Sequence, residues 1–168
     1  MDLSKYLVLY SGGADSTHLV ETEPTARYLL HYESPNPAQT RIARINANIL
    51  NRYLEIIPLG IAGPRDGETN QIHALFDTEM ALNASIRAAH YGMKGIVLGF
   101  NANDIGIDVQ SLKKIMRRAE PKFEILQPLI DKTGKEIRAA IKRSSKLRFV
   151  SCMHSESCGY CAKCTKKY

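Results

Sequence analysis

The sequence predicts an α/β protein with a doubly wound, mostly parallel sheet of five strands. Three observations carry this prediction: five short apolar runs, helix-like or loop segments between them, and a glycine turn directly after the first run. The runs are rich in Ile, Leu, Val and Tyr without polar alternation, which is typical of strands covered on both faces. They span residues 6–10, 26–32, 54–59, 95–99 and 123–126. Alternating strands and helices with right-handed crossovers give a parallel sheet, whose ligands bind beyond the carboxyl ends of the strands.

The first run, 6–10, leads into residues 11–17, which read SGGADST. Two glycines can take dihedrals that other residues avoid, so that successive backbone N–H groups point at one anion. Ser16 and Thr17 open a helix whose positive end adds to this field, and their hydroxyls can donate to phosphate oxygens. No lysine follows the glycines, which argues against a Walker A loop, and the spacing is a poor match to G-x-G-x-x-G. The turn therefore predicts a phosphate cradle, with an ordinary strand–turn–helix connection as the alternative.

Between the second and third runs, Pro37 suits the first position of a helix. Apolar residues recur on one face of that helix, at Ile42, Ile45 and Ile49. Before the fourth run, Asp77 is a plausible N-cap for a helix that continues to about Tyr91, with Gly92 near its end.

After the fifth run, Thr133 and Glu136 form a T-x-x-E capping box. This pattern predicts a helix that begins there and ends at about Ser144.

All four cysteines of the chain lie within thirteen residues, in the spacing C-x5-C-x2-C-x2-C: Cys152, Cys158, Cys161 and Cys164. Such turns let thiolates converge on one tetrahedral zinc ion, and a closed four-sulfur site would be structural. Disulfides are the first alternative, but no secretory signal and no long apolar segment is recognised, and thiols stay reduced in the cytoplasm, where we place the protein. An iron–sulfur cluster is the second alternative. His154 could replace one ligand, although an exposed loop histidine is the favoured interpretation.

These two motifs carry a family resemblance. S-G-G-x-D-S resembles the PP-loop ATP pyrophosphatases, which have an adenine nucleotide α-hydrolase-like fold. Together with the C-terminal cysteines around Cys-Gly-Tyr-Cys-Ala-Lys-Cys, the chain resembles the 7-cyano-7-deazaguanine synthase family in a shortened form. Pro128-Leu129, followed by Lys135-Glu136 at a helix start, is similar to a further segment of that family.

The resemblance implies an ATP-dependent carbon–nitrogen ligase. ATP would adenylate the carboxylate of 7-carboxy-7-deazaguanine, ammonia would displace AMP to give the amide, and a second activation would dehydrate the amide to the nitrile. The implied cofactors are ATP, Mg²⁺ and a structural Zn²⁺. Two alternatives remain open: a PP-loop tRNA-modifying enzyme of the thiolation type, and a nucleotide-binding protein without deazaguanine turnover.

Candidate site residues follow from the turn, from the edge it shares with other strands and, for the two lysines, from the register that the resemblance implies. We expect Asp15 to hold magnesium on the phosphates, since magnesium prefers one or two carboxylates plus phosphate and water oxygens. Asp104 and Asp108 could assist. Lys132 or Lys135 could stabilise the departing pyrophosphate, and with Asp15 and Ser16 these lysines form the candidate catalytic set. The candidate nucleotide-binding residues are Tyr10, Ser11, Gly12, Gly13, Ala14, Asp15, Ser16, Thr17, Tyr32 and Gly99.

Relatives carry Pro-Gly-Arg-Asn at the start of the helix before the fourth strand, where this chain has FDTEMA at residues 76–81. The chain is also shorter than they are, apparently within 60–75. An anionic substrate needs a cationic partner, and Arg65, Arg87 or a group from a second copy could supply one. We therefore expect a homo-oligomer, most simply a two-fold dimer.

Length and charge complete the sequence-based expectations. A chain of 168 residues predicts one nucleotide-binding domain over residues 1–150, with a zinc segment at 151–168 packed on it. Residues 1–112 hold eight Lys or Arg and twelve Asp or Glu, whereas residues 113–168 hold fifteen and five, giving net charges of −4 and +10. The basic half could attract nucleic acid, although a solvated charged face is the favoured interpretation. No membrane association is expected.

Overall fold

In the computed structural model, five parallel strands form one sheet in the order β3-β2-β1-β4-β5. The structure describes residues 1–58, 70–104, 106–144, 146–152, 154–161 and 164. The strands are β1 Tyr6–Leu9, β2 Tyr28–Tyr32, β3 Tyr53–Ile57, β4 Gly95–Val97 and β5 Glu124–Leu126. The helices are α1 Ala14–Thr22, α2 Pro37–Ile49, α3 Asn70–His90, α4 Val109–Met116 and α5 Gly134–Ser144. The predicted doubly wound parallel sheet is confirmed. Four of the five apolar runs contain a whole strand, whereas β3 begins at Tyr53, one residue before the predicted run 54–59.

Successive residues of β1 point to opposite faces of the sheet and enter two separate cores. Tyr6 and Val8 pack with α1, α2 and α5, whereas Leu7 packs with α3 and α4. All three are buried. Helices therefore cover both faces, which explains why the strands read as unbroken apolar runs.

The direction of the strand order reverses at β1, because β2 lies on one side of β1 and β4 lies on the other. In open α/β sheets this reversal leaves a crevice at the carboxyl ends of the two strands. The crevice lies between the connection after β1 and the connection after β4. The fold thus places the SGGADST turn where such sheets bind ligands.

The predicted starts of α2 at Pro37 and of α5 at the Thr133–Glu136 capping box are confirmed. Asn36 caps α2 by accepting a hydrogen bond from the Ala38 N–H, and Pro37 is the first helical residue. At α5, the Thr133 N–H and hydroxyl both donate to Glu136 Oε2 at 2.7 Å, and these bonds lower the pKa of the Glu136 carboxyl. The capping box therefore fixes the start of α5 immediately after the β5 connection.

Three predictions about helices need correction. Asp77 lies inside α3, which is described from Asn70, because helix-forming residues precede Asp77 and extend the helix upstream of it. Only Ile42 of the three predicted apolar residues of α2 is buried, whereas Ile45 and Ile49 are exposed. The buried stripe of α2 is centred on small and polar residues: Thr40, Ala43, Asn46 and Ala47.

The third correction is α4, which the sequence did not predict. Asp108 is its N-cap and accepts a hydrogen bond from the Ser111 N–H at 2.9 Å, which lowers the pKa of Asp108. Leu112 and Met116, one turn apart, are its buried residues. Two apolar anchors in eight residues give a weak periodic signal. The Asp108 carboxylate is committed to this helix start, so the structure does not support it as a metal or substrate ligand.

Candidate nucleotide site and metal centre

The turn between β1 and α1 depends on glycine at its second residue. Gly12 has φ +77°, and a Cβ there would lie 2.8 Å from the backbone oxygen of Gln39 in α2. Gly13 is the N-cap of α1 and offers no side chain to cover the helix end. The turn therefore lies directly against α2, and the Gly13 cap leaves no side chain of its own over the N-terminus of α1, the end of a helix that favours an anion.

The hydroxyls of the turn differ in what they can reach. Ser11 is exposed, and its Oγ lies 3.0 Å from Ser16 Oγ and accepts from the Gly13 N–H at 3.2 Å. Ser16 is largely buried and also donates to the Gly13 carbonyl. Thr17 is 0% exposed, with its Oγ1 3.3 Å from the Tyr10 hydroxyl. Ser11 is thus the accessible hydroxyl, and Thr17 faces the core rather than a bound phosphate.

Tyr10 lies beneath the turn. Its side chain is 1% exposed, and its hydroxyl accepts a hydrogen bond from Asn46 Nδ2 at 2.8 Å. Its backbone N–H donates to Leu30, and its carbonyl accepts from His31 Nδ1 at 2.8 Å. These contacts commit Tyr10 to supporting the turn, so the structure does not support the predicted nucleotide contact of its side chain.

The His31 ring links the Tyr10 carbonyl, beneath the turn, to Thr40 of α2 through two hydrogen bonds. Because the Tyr10 carbonyl can only accept, Nδ1 carries the proton, and Nε2 accepts from the Thr40 hydroxyl at 2.8 Å. The ring is 1% exposed, and burial lowers the pKa of His31. The neutral tautomer is therefore built into the floor of the turn.

We predict that the free energy of unfolding falls as the pH is lowered from 7.5 to 5.5. An unfolded histidine has a pKa of about 6.5. Since the folded pKa of His31 is lower, the unfolded chain binds more protons over this range, and stability is lost as the pH falls. Urea unfolding at the two pH values measures the slope. His31→Gln should make the slope of stability against pH smaller, and the part that remains is expected from His18, whose pKa is also lowered. His90→Gln is the matched substitution at an exposed ring at the end of α3, and its slope should be larger than that of His31→Gln. An unchanged slope in His31→Gln would contradict this role.

Gly99 brings the β4 connection against the first turn of α1. A Cβ at Gly99 would lie 3.3 Å from Ser16 Cα and 3.4 Å from Ser16 N, closer than most side chains tolerate. The predicted proximity of Gly99 to the turn is thus confirmed. Asp104 accepts from the Asn101 N–H at 2.9 Å within the same connection.

Two hydrogen bonds tie the β4 connection to the loop that follows β5. The Ala102 N–H donates to the Lys132 carbonyl at 2.9 Å, and the Gly134 N–H donates to Asn103 Oδ1 at 3.0 Å. These bonds hold the start of α5 at the same edge of the sheet as the SGGADST turn. Lys132 is positioned by them.

Lys132 and His18 form a contact that the sequence did not predict. Lys132 Nζ lies 3.5 Å from His18 Nε2, on the first turns of α1. Burial lowers the pKa of His18, and the charge of Lys132 lowers it further, which favours the neutral form of the His18 ring. The sequence signal for His18 was its position three residues after Asp15, which makes the two side chains neighbours on the surface of α1. Lys135, the other predicted lysine, is exposed on the first turn of α5.

Asp15 is the second residue of α1 and is half-buried. Its carboxylate lies close enough to His18 to oppose the lowering of the His18 pKa. An acidic residue in the first turn is favoured by the helix dipole. Asp15 therefore lies beside the turn, together with the Lys132–His18 pair.

Two further predicted site residues, Tyr32 and Arg87, are engaged in contacts that involve α3. The Tyr32 hydroxyl donates to the Met80 carbonyl at 2.8 Å, and burial raises the pKa of this phenol. Arg87, a predicted substrate cation, forms an ion pair with Glu55 of β3 at 2.8 Å. Arg87 is thus engaged away from the turn, and Arg65 lies outside the described residues.

The four cysteines converge in space. Their sulfur atoms all lie within 4.8 Å of one another, with Cys152 and Cys161 at 3.9 Å and Cys158 and Cys164 at 4.0 Å. Four sulfurs at about 2.3 Å from one tetrahedral ion would lie about 3.8 Å apart. None of the four cysteines is joined in a disulfide, so the cluster is not a pair of disulfides. The donor set and its spacing fit a single metal ion.

Backbone geometry supports this interpretation of the cluster. The N–H groups of His154 and Ser155 both point at Cys152 Sγ at 3.4 Å, and the Cys161 N–H points at Cys158 Sγ at 3.3 Å. For Cys152, burial opposes ionisation, but hydrogen bonds from the N–H groups of His154 and Ser155 and from Cys158 together outweigh it and lower the pKa of the thiol. The His154 side chain is exposed beside Tyr160, and among the described residues the metal-binding group contains cysteines only.

The cysteine segment packs against the N-terminus of α2. Asn36 Nδ2 donates to the carbonyls of Cys152 at 2.8 Å and Ser155 at 2.7 Å, and Gln39 Nε2 donates to the Cys152 carbonyl at 3.1 Å. Arg41 and Glu156 form an exposed ion pair beside these contacts. Since Gln39 also touches Gly12, one helix end supports both the turn and the cysteine cluster.

Comparison with solved structures identifies the fold. A predicted tRNA methyltransferase subunit from Methanocaldococcus jannaschii matches 82% of this chain and 73% of its own at 18% identity, with a TM-score of 0.50. NMN synthetase from Francisella tularensis matches over 83% of this chain at 14% identity, with a TM-score of 0.55. The U34-tRNA thiolase NcsA from Methanococcus maripaludis, solved with its [4Fe-4S] cluster, matches over 82% at 13% identity, with a TM-score of 0.53. The chain has the adenine nucleotide α-hydrolase-like fold.

At these identities the likeness establishes the fold alone. The chain spans 60% of the NMN synthetase and 56% of the thiolase. No protein-family model and no curated protein matches the sequence. Within the described residues, every helix is too short or too polar to cross a membrane.

Proposed function

We propose that the chain binds ATP at residues 11–17 and splits it into AMP and pyrophosphate, with an adenylated carboxylate as the intermediate. One arrangement supports this proposal: the glycine turn leads into the N-terminus of α1 at the reversal of the strand order, and the Lys132 ammonium lies 3.5 Å from His18 on the same helix. A helix N-terminus favours polyphosphate, and a nearby ammonium favours the charge that develops on leaving pyrophosphate. Carboxylate oxygen is a poor leaving group, whereas AMP is a good one.

The residues of the site divide these tasks. Asp15 is proposed to hold Mg²⁺ on the phosphates, the role that a half-buried carboxylate at this helix end suits. The exposed Ser11 hydroxyl and the amides of the turn would bind phosphate oxygens. Bound magnesium supplies charge neutralisation as the α–β bond breaks. The rest of the catalysis is positioning and electrostatic stabilisation by the chain itself.

For the acceptor we propose 7-carboxy-7-deazaguanine, with ammonia as the nitrogen donor. This assignment rests on the combined resemblance of the turn and the cysteine array. Arg87 is engaged with Glu55, so the cation for the substrate carboxylate would come from Lys132 or from a second copy of the chain. The proposal therefore includes a homo-oligomer. It also includes one structural zinc ion on the four cysteines.

A PP-loop tRNA-modifying enzyme is the second candidate. The thiolase with the same fold and the +10 charge of residues 113–168 favour it. Two features weigh against thiolation. All four cysteines belong to one cluster, so none is left to carry sulfur. Their spacing suits one ion, whereas the ligands of a four-iron cluster bind separate irons and lie farther apart.

Acceptor-dependent turnover tests the two candidates. The purified chain is incubated with ATP, magnesium and ammonium, with either 7-carboxy-7-deazaguanine or unmodified tRNA, and the products are identified by mass spectrometry. We expect the nitrile, and AMP that depends on the carboxylate substrate. AMP that depends on tRNA would favour the second candidate. Nucleotide binding without turnover on either acceptor would leave a binding protein and would contradict both.

The two predicted lysines provide a matched pair of variants. Lys132→Ala should lower the rate constant of AMP formation about tenfold to a hundredfold, because its ammonium lies beside α1 and stabilises developing negative charge. Lys135→Ala should change it less than threefold. Both lysines are exposed, but the Lys132 ammonium contacts His18 of α1, whereas Lys135 lies on the first turn of α5. Single-turnover kinetics at saturating ATP separate the chemical step from binding. A larger loss in Lys135→Ala than in Lys132→Ala would reverse the assignment.

A further inference from the structure

The residues just before the first metal-binding cysteine touch the phosphate turn on both sides. The Val150 N–H donates to the Gly12 carbonyl at 3.0 Å. The Ser151 hydroxyl oxygen accepts from the Ala14 N–H at 3.3 Å. These bonds join positions more than 130 residues apart in the sequence, and Cys152 follows directly.

The Ser151 hydroxyl occupies a position suited to phosphate binding. Ala14 is the first residue of α1, and its N–H is among the amides that a helix leaves for external acceptors. A Cβ built on Gly13 would lie 3.8 Å from Ser151 Oγ, so the hydroxyl lies next to the second glycine of the turn. In accepting from Ala14, the hydroxyl does not use its own proton. That proton can be donated to an oxygen of a phosphate bound at the turn.

The position of Ser151 is fixed through Cys152. The Cys152 side chain is 3% exposed and its sulfur belongs to the four-cysteine group. Its carbonyl is held by Asn36 and Gln39 of α2. A metal ion on the cysteines would therefore fix the backbone one residue away from the hydroxyl.

We propose that Ser151 is a further nucleotide-phosphate ligand, positioned by the four-cysteine metal centre. This inference rests on the proposed binding of ATP at the turn and adds a residue that the S-G-G-x-D-S pattern does not contain. It makes the metal centre a determinant of nucleotide affinity as well as of stability. By linkage, bound nucleotide must raise the affinity for the metal by the same factor.

Calorimetric titration of the zinc-loaded full chain with the magnesium complex of α,β-methylene ATP tests the contact. This analogue cannot be split between the α- and β-phosphates. Ser151→Ala should weaken its binding about tenfold, the usual effect of losing one hydrogen bond to a charged group. Ser155→Ala is the matched control, since its exposed side chain lies in the same segment and its backbone contacts are kept. Equal affinities in the two variants would overturn the assignment of Ser151.

Competition with a chromophoric zinc chelator tests the coupling separately from activity. In the parent chain, saturating analogue should tighten zinc binding severalfold, and in Ser151→Ala this gain should largely disappear. A zinc affinity that is the same with and without the analogue would overturn the coupling even where Ser151 contacts phosphate. A folded, zinc-loaded parent that does not bind the analogue would reject the proposed function and this inference with it. Normal parent binding combined with an unaffected Ser151→Ala rejects the inference alone.

Discussion

Asp15→Ala is expected to lower AMP formation at least a hundredfold while the chain remains folded. Magnesium neutralises charge on the transferring phosphates, and loss of its protein ligand removes several kcal/mol of transition-state stabilisation. The side chain is only half-buried, in the first turn of α1, so its removal leaves both cores intact. A coupled assay for AMP measures the effect, and circular dichroism checks the fold.

Glu21→Gln is the matched control for Asp15, because Glu21 is a second half-exposed acid on α1, farther from the turn. It should retain most of the parent rate. A well-folded Asp15→Ala chain that forms AMP at the parent rate would show that Asp15 does not serve the phosphates.

Loss of the metal is expected to produce the largest change in stability. Binding of structural zinc contributes an apparent free energy of about 10 to 16 kcal/mol in zinc-finger peptides. Here Cys152 and Cys161 are the buried anchors of a small cluster with Ile42 and Val150. Cys161→Ser should therefore lose zinc and lower the melting temperature strongly, with hydrogen exchange rising first in residues 146–164. Elemental analysis of the parent should give one zinc per chain.

Tyr160→Ala is the control for this segment, because the Tyr160 ring is exposed beside His154 and the substitution leaves all four metal-binding cysteines in place. It should keep its zinc and nearly all of the parent stability. Iron with a visible charge-transfer band in the parent protein would contradict the zinc assignment and would favour the tRNA-modifying candidate.

The strands and the turn could be predicted because their signals are local. Burial on both faces requires continuous apolar runs, and the positive φ of Gly12 requires glycine. The starts of α2 and α5 are equally local signals, since Pro37 suits a first helical position and the Thr133–Glu136 box spans only three residues. The convergence of the four cysteines follows from their short spacing.

The remaining parts of the site depend on contacts between distant segments. Lys132 meets His18, and Ser151 meets Ala14, across 114 and 137 residues. Neither pair has a spacing that sequence periodicity could reveal. Tyr10 shows the opposite effect: it adjoins the motif in sequence, but the pleat of β1 turns its side chain into the core. Proximity in the sequence therefore overstated its role.

The nucleotide products test the central claim most directly. Phosphorus NMR of the zinc-loaded chain with ATP, magnesium, ammonium and 7-carboxy-7-deazaguanine distinguishes cleavage between the α- and β-phosphates from cleavage between the β- and γ-phosphates. The account predicts AMP and pyrophosphate in equal amounts, formed only when the acceptor is present. ADP and orthophosphate, or no cleavage by a folded chain that holds its zinc, would contradict it.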